Sequence, residues 1–282
     1  MSLSNLIKNW SYFRVRRPYE GQYEKSDYKW AMVIDLDACI GCNACTTACY
    51  AENNLPVVGK TLYGKGQAMH WIRIERYWGE GDVMQTDFPD RGAQYLPMLC
   101  QQCEAAPCEP VCPVGATHHS PDGLNTQVYN RCVGSRYCSA NCPYKVRYFN
   151  WWNYPERAWP NPLELQLNPD VTVRSKGVME KCTFCMQRIR YSMDKAKDQD
   201  RLIQDGEVVT ACAQACPTSA ITFGNLLDKT SKVAAMWKRQ EIDLATDHQE
   251  KEDPNMRGYR VLEFMRTYPS IVYLERVRDY EA

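Results

Sequence analysis

The run Cys39-Ile-Gly-Cys42-Asn-Ala-Cys45-Thr-Thr-Ala-Cys49 decides the fold. Its spacing is C-x2-C-x2-C-x3-C. Three thiolates set two residues apart can wrap one face of an iron–sulfur cube, while a fourth, beyond a three-residue gap, ligates the neighbouring cluster of a two-cluster pair. The run is therefore incomplete alone. It calls for a second cysteine motif elsewhere in the chain.

Working outward, the second motif is Cys100-x2-Cys103-x4-Cys108-x3-Cys112-Pro113. The third is Cys132-Val-Gly-Ser135-Arg-Tyr-Cys138-x3-Cys142-Pro143, with serine where a second cysteine is due. The fourth is split: Cys182-x2-Cys185, a long insert, then Cys212-x3-Cys216-Pro217. Proline follows the last cysteine in all but the first, where Tyr50 stands, and it ends the local helix where the chain must turn away. Between the second and third motifs, Pro121-Asp122-Gly123 marks a tight turn. Its flanks, Ala116–His119 and Gln127–Tyr129, suit a hairpin, with His118 and His119 on its surface. The two inner motifs then form one unit, and the outer two must pair around it.

Crossed ligation within each pair assigns every thiolate. One [4Fe-4S] cluster takes Cys39, Cys42, Cys45 and Cys216. A second takes Cys49, Cys182, Cys185 and Cys212. A third takes Cys100, Cys103, Cys108 and Cys142. The last site has Cys112, Cys132 and Cys138, with Ser135 as a non-ligand at the fourth position. These sets use all 15 cysteines. A hydroxyl stays protonated near neutral pH and is a poor ligand for this iron, so the last site is expected to hold a [3Fe-4S] cluster. Zinc would use paired C-x2-C arms, four thiolates to one ion, which these triplets with a distant fourth do not resemble. An odd cysteine count in a chain of 282 residues also disfavours a disulfide framework.

The expected fold is α+β: two tandem bacterial-ferredoxin-like units, the inner inserted in the outer, with long loops and terminal extensions. Residues 31–95 and 177–225 form the outer unit and 96–149 the inner one. Residues 1–30, aromatic and basic, read as a partner-binding arm. Residues 150–176, rich in Trp and Pro, exclude a continuous helix and read as a docking loop. Residues 226–282 read as a partner-binding extension. Met32–Leu36, Ala68–Trp78, Ile221–Phe223 and Ile271–Leu274 have strand character. A helix follows Cys185 with Met186, Ile189 and Met193. Another is capped by Asp228 or Ser231, with Val233, Met236 and Trp237 on one face.

A net charge of 0 gives no support for nucleic-acid binding. The cations Arg131, Arg136, Lys145, Arg147, Arg174, Lys176, Lys181, Arg188 and Arg190 gather near the third and fourth motifs instead, where they would stabilise negatively charged clusters. No apolar run is long enough to span a membrane. No secretory signal is read in residues 1–30. No acid–base pair, nucleophile–base pair or nucleotide loop stands out, so no catalytic site is expected.

These motifs resemble those of the four-cluster iron–sulfur (beta) subunits of molybdopterin-type membrane oxidoreductases. The resemblance covers residues 31–225 and reaches Arg260-Val-Leu-Glu-Phe264 and Ile271-Val-Tyr-Leu274. Val128-Tyr-Asn-Arg-Cys-Val-Gly-Ser-Arg-Tyr-Cys138, Asn141-Cys-Pro-Tyr-Lys-Val-Arg147 and Asn168-Pro-Asp-Val-Thr-Val-Arg-Ser-Lys-Gly-Val-Met-Glu-Lys-Cys182 are most similar to a narrower branch. That branch holds the alternative complex III iron–sulfur domain and the iron–sulfur subunit of menaquinone reductase, the Qrc complex; chain length favours the latter. The resemblance implies an electron wire between a molybdopterin-type large subunit and a polytopic quinone-binding membrane subunit, with a multihaem cytochrome c as a further partner. It implies a peripheral membrane position, on the periplasmic face by co-export with a twin-arginine partner, the cytoplasmic face being the alternative. The competing readings are a free soluble polyferredoxin and the beta chain of a polysulfide-, thiosulfate- or arsenate-type reductase.

Overall fold

Six residues, Trp30–Asp35, form strand β1, and both of its faces are covered. Trp30, Met32 and Ile34 point into the main core, which also contains most of the buried cysteines. Ala31 and Val33 point the other way, onto Val233, Trp237, Val272 and Leu274. Alternate residues of a strand face opposite sides, so one short run joins the cysteine-rich core to a second apolar layer. The computed structural model describes residue 23 and residues 26–77, 93–153, 162–240 and 256–276. Most of the 1–30 arm, and residues 78–92, 154–161, 241–255 and 277–282, lie outside the described residues.

The elements in order are β1, α1 (Ala44–Glu52), α2 (Gly59–Gly64), β2 (Ile72–Tyr77), β3 (Gln94–Leu99), β4 (Thr117–His119) and β5 (Asn125–Gln127). Then follow α3 (Tyr137–Asn141), β6 (Tyr148–Phe149), β7 (Met179–Glu180), α4 (Met186–Asp198), α5 (Ala211–Gln214), β8 (Ile221–Asn225), α6 (Lys232–Arg239), β9 (Gly258–Tyr259) and β10 (Ile271–Leu274). β1 is central in a four-stranded sheet ordered β8-β1-β10-β9. It runs antiparallel to β8, with Met32 opposite Phe223, and parallel to β10, with Val33 opposite Val272. β2 and β3 form a hairpin that delivers the chain straight into Cys100. β4 and β5 form the hairpin between the second and third motifs. β6 pairs with β7, bringing the exit of the third motif beside the entry of the fourth. The turn of the β4–β5 hairpin docks on β1, where Trp30 donates its backbone N–H to the Asp122 carbonyl (3.2 Å) and its indole N–H to the Asp122 carboxylate (3.1 Å).

The second strand of that hairpin begins two residues earlier than Gln127–Tyr129, and Tyr129–Arg131 is a 3-10 turn. The strand expected from Ala68–Trp78 starts only at Ile72. Described residues of 150–176 contain one 3-10 turn, Leu163–Gln166, and no α-helix. Residues 226–282 supply α6, β9 and β10, and all four residues of β10 are buried. α6 is capped by Ser231, whose Oγ accepts the Ala234 N–H at 3.1 Å and donates to the Asn225 carbonyl at 2.7 Å. Its apolar face, Val233 and Trp237, covers the second layer. Ser231→Ala is expected to destabilise α6 by about 1 kcal/mol; faster amide exchange in residues 232–239 would register it.

Candidate metal centres

Three of the four motifs close in the same way. After Cys112, Cys142 and Cys216 the chain makes one turn in which the N–H of Gly115, Lys145 or Ser219 donates to the cysteine carbonyl, at 3.3, 3.3 and 3.2 Å. Those three residues have φ of 59°, 52° and 54°. The intervening proline cannot continue a helix, and the left-handed residue swings the next N–H towards the sulfur. Ala116 N lies 3.2 Å from Cys112 Sγ and Ala220 N lies 3.3 Å from Cys216 Sγ. Val146 stands in the same relation to Cys142. With Tyr50 in place of proline, α1 runs on past Cys49 to Glu52, whereas α3 stops before Cys142-Pro143.

The first and third motifs also share a loop. Gly41 and Gly134 have φ of 68° and 72°, and Asn43 and Arg136, which open α1 and α3, have φ of 62° and 61°. Ser135 therefore takes the place in the third loop that Cys42 takes in the first, and both are exposed. Each glycine is overlaid closely. A Cβ on Gly41 would meet the Tyr95 ring at 2.4 Å, and one on Gly134 would meet the Gly177 carbonyl oxygen at 2.4 Å. Gly134→Ala adds a left-handed conformation that L side chains avoid to a clash with backbone. It is expected to abolish one metal-centre signal in paramagnetic resonance and leave the others.

The thiols fall into groups close enough to repel one another. Burial raises Cys39, with Cys216 and Cys42 adding to it. Burial also pushes Cys45 up to about 11, with Cys39 and Cys216 contributing. Burial, with Cys182, Cys185 and Cys212, raises Cys49 well above the ordinary thiol value. Burial, with Cys100, Cys108 and Cys142, does the same for Cys103. The ligand sets expected from the spacing are called sites one, two and three in the order given above. Backbone N–H groups of residues 114–117 outweigh the effect of burial on Cys112 and hold it below the ordinary thiol value. Met179 N lies 3.4 Å from Cys132 Sγ. Cys112, Cys132 and Cys138, with Ser135, are called site four.

Groups assigned to different sites also influence one another. Cys212 of site two feels the charge of Cys45 of site one, and Cys182 of site two feels that of Cys100 of site three. Arg147 is stabilised by Cys108 and Cys100 of site three and by Cys138 of site four. The sites differ in exposure. All eight thiols of sites two and three are buried, while Cys42 is exposed in site one and Cys112 and Cys132 are half-buried in site four. Exposed apolar residues stand beside the two sites that reach the surface, Ile40 at site one and Val133 and Tyr137 at site four.

All 15 cysteines are free. A set of thiols that accept backbone N–H groups and repel one another suits a cationic iron–sulfur core, because ligation removes the proton and relieves the repulsion. Among the described residues, no three His, Cys, Asp or Glu side chains converge so as to hold a single ion.

Of the nine cations noted in the sequence, Arg131, Arg136, Lys145, Lys176 and Arg190 are exposed. Arg188 pairs with Glu52 at 2.7 Å, and Arg174 is buried against Glu180 at 2.9 Å. Lys181 is fully buried and its charge reaches Cys108. A further group escaped the sequence reading. Lys29, fully buried, donates to Glu104 and to Ser270 (2.7 Å). His119 turns inward from its hairpin to Glu104, at 3.1 Å, rather than lying on the surface. Burial pushes Lys29 down, to about 7, and Glu104 up. The signal missed was Lys29 itself, a lysine directly before the apolar run Trp30–Ile34.

Two family models, each described as a 4Fe-4S dicluster domain, match residues 38–116 and 92–157. The chain is 39% identical, over 90% of its own length and 91% of the relative's, to the iron–sulfur cluster-binding subunit of menaquinone reductase from Nitratidesulfovibrio vulgaris. It is 32% identical to an iron–sulfur subunit of an Hdr-like menaquinol oxidoreductase from Archaeoglobus fulgidus, over 76% of this chain and 77% of that one. It is 32% identical to the arsenate respiratory reductase iron–sulfur subunit of a Shewanella species, over 73% and 86%. Fifteen cysteines in the order and grouping described, together with likeness along nine-tenths of the chain, carry one conclusion: it belongs to the iron–sulfur subunit family of the molybdopterin-type membrane oxidoreductases, on the branch that includes menaquinone reductase.

Proposed function

We propose that this chain is the electron-transfer subunit of a membrane quinone oxidoreductase of the menaquinone reductase type. It would carry three [4Fe-4S] clusters at sites one to three and one [3Fe-4S] cluster at site four, with the crossed ligand sets given by the spacing. Bound clusters supply one-electron storage at each site. The observation that carries the reading is the burial of the cysteines, complete at sites two and three and broken at sites one and four, which reach the surface. A wire needs that arrangement, with terminal sites within reach of partners and inner ones kept from solvent and stray oxidants.

The protein's own residues do three things. Backbone N–H groups face the sulfurs of Cys112, Cys132, Cys182, Cys185 and Cys216 and stabilise them as thiolates. Buried cations offset charge in the interior. Apolar residues beside the two sites that reach the surface, Ile40 at site one and Val133 with Tyr137 at site four, are available to pack on partners. The pairing of β1 with β8 across the β4–β5 hairpin supports an inner unit inserted in an outer one.

Site one would face a molybdopterin-type large subunit and site four a quinone-binding membrane subunit, with a multihaem cytochrome c as a further partner of the assembly. Among the described residues no helix is long and apolar enough to cross a membrane. The chain would sit at the membrane's periphery, on the periplasmic face, held by its partners.

Gentle solubilisation of membranes followed by mass spectrometry tests this. A large molybdopterin-fold subunit and a polytopic membrane subunit are expected to co-purify. Iron analysis is expected to give about fifteen irons per chain. Recovery only as a soluble monomer would favour a free polyferredoxin, and zinc in place of iron would end the proposal.

A further inference from the structure

Arg147 is 4% exposed. It leaves the third motif just beyond Cys142-Pro143 and turns back under the β4–β5 hairpin. There Nη1 donates to Gln127 Oε1 at 3.0 Å and Nη2 to Asn125 Oδ1 at 3.0 Å. Thr117 holds Gln127 from the opposite strand, Oγ1 to Oε1 at 2.8 Å. Asn125 is held in turn by Glu109, Nδ2 to Oε1 at 2.6 Å. The same Asn125 Oδ1 lies 3.8 Å from the Cys108 sulfur of site three. On its other side, the charge of Arg147 reaches the Cys138 sulfur of site four, and its carbonyl accepts the hydroxyl of Ser139, the next residue, at 2.8 Å.

Its hairpin acceptors are neutral amide oxygens. Arg174, equally buried, is by contrast neutralised by Glu180. The charge of Arg147 is therefore left to the sulfurs around it: Cys100, Cys108 and Cys142 on one side and Cys138 on the other. Reduction adds negative charge to a thiolate-ligated cluster, and a fixed buried cation favours the added electron. One cation within reach of two sites acts on both.

We propose that Arg147 is a positioning residue for electron transfer between sites three and four: one guanidinium, fixed by the β4–β5 hairpin and shared by both sites, holds their two reduction potentials up together. The proposal rests on the iron–sulfur reading of those sites. Its elements are this chain's own, since the hairpin amides aim the charge and the third motif carries it.

Redox titration of the purified complex, followed by paramagnetic resonance, tests it. Signals of sites three and four are assigned beforehand with Cys100→Ser and Ser135→Cys. Arg147→Met removes the charge. Gln127→Glu leaves the arginine in place and neutralises it. Each is expected to lower the midpoints of both sites by a tenfold or greater change in the oxidised-to-reduced ratio, about 59 mV for a one-electron couple. Arg147→Lys is expected to keep both midpoints within threefold. Sites one and two are expected to stay put in all three variants. Unmoved midpoints, a shift at one site only, or an equal shift at all four would each overturn the proposal. If Arg147→Met fails to assemble, Gln127→Glu decides alone. A wild-type complex without iron–sulfur signals would instead overturn the functional reading beneath it.

Discussion

Ser135→Cys is expected to convert the fourth site from a three-iron to a four-iron centre. In the oxidised wild type, a near-isotropic three-iron signal should account for about one spin per chain. In the variant it should be absent, and an additional four-iron signal should appear on reduction. The cause is local. Gly134 and Arg136 hold the loop in the backbone conformation that Gly41 and Asn43 give the first motif, so position 135 offers its side chain where position 42 does. At 42 that side chain is a thiol and at 135 a hydroxyl. A thiolate binds the corner iron well, and a neutral hydroxyl binds it poorly. The substitution alters one atom on an exposed loop, so the fold should tolerate it. The potential of the site should fall as its charge changes. An oxidised wild type with no three-iron signal and sixteen irons by analysis, roughly four to each site, would sink the idea.

Cys216→Ser and Cys212→Ser are expected to destroy different clusters, although the residues lie one helical turn apart. Cys212 is buried on α5 and faces Cys185, whereas Cys216 lies past the end of α5, beside Cys39 and Cys45. Cys216→Ser should therefore remove the signal that Cys39→Ser removes, and Cys212→Ser the one lost in Cys49→Ser. In each case the loss should be of one whole centre, with the other three retained. Loss of one and the same signal in the 212 and 216 variants would show that ligation is not crossed.

The cysteine motifs and the turns that close them were legible in the sequence because cysteine spacing is short-range geometry. C-x2-C-x2-C-x3-C places its sulfurs before any tertiary contact forms, and Cys-Pro fixes the turn that follows. Strand β8 and helices α4 and α6 were legible for similar reasons, Ser231 being a local cap on an amphipathic run. The route of residues 226–282 was not legible. Ile271-Val-Tyr-Leu274 reads as a strand, but a run buried on both faces has no alternation to say which strand it joins. His119 was misread because its partners, Glu104 and the Tyr23 hydroxyl, come from distant segments. Arg147 could not be singled out among nine cations. Only the folded hairpin shows that it is buried between two sites with neutral acceptors, while Arg136, on the same motif, lies outside over the Phe149 and Trp151 rings.

During synthesis β1 leaves the ribosome long before the strand that pairs along its inner edge, Ile271–Leu274. At roughly 5–20 residues per second, translation reaches that strand on the order of 10–50 s later. Every cysteine is therefore synthesised while the central sheet still has an unpaired edge. An open edge invites pairing with other chains, and here it persists over the same interval in which the thiols are most accessible. Pairing of β10 with β1 then covers that edge.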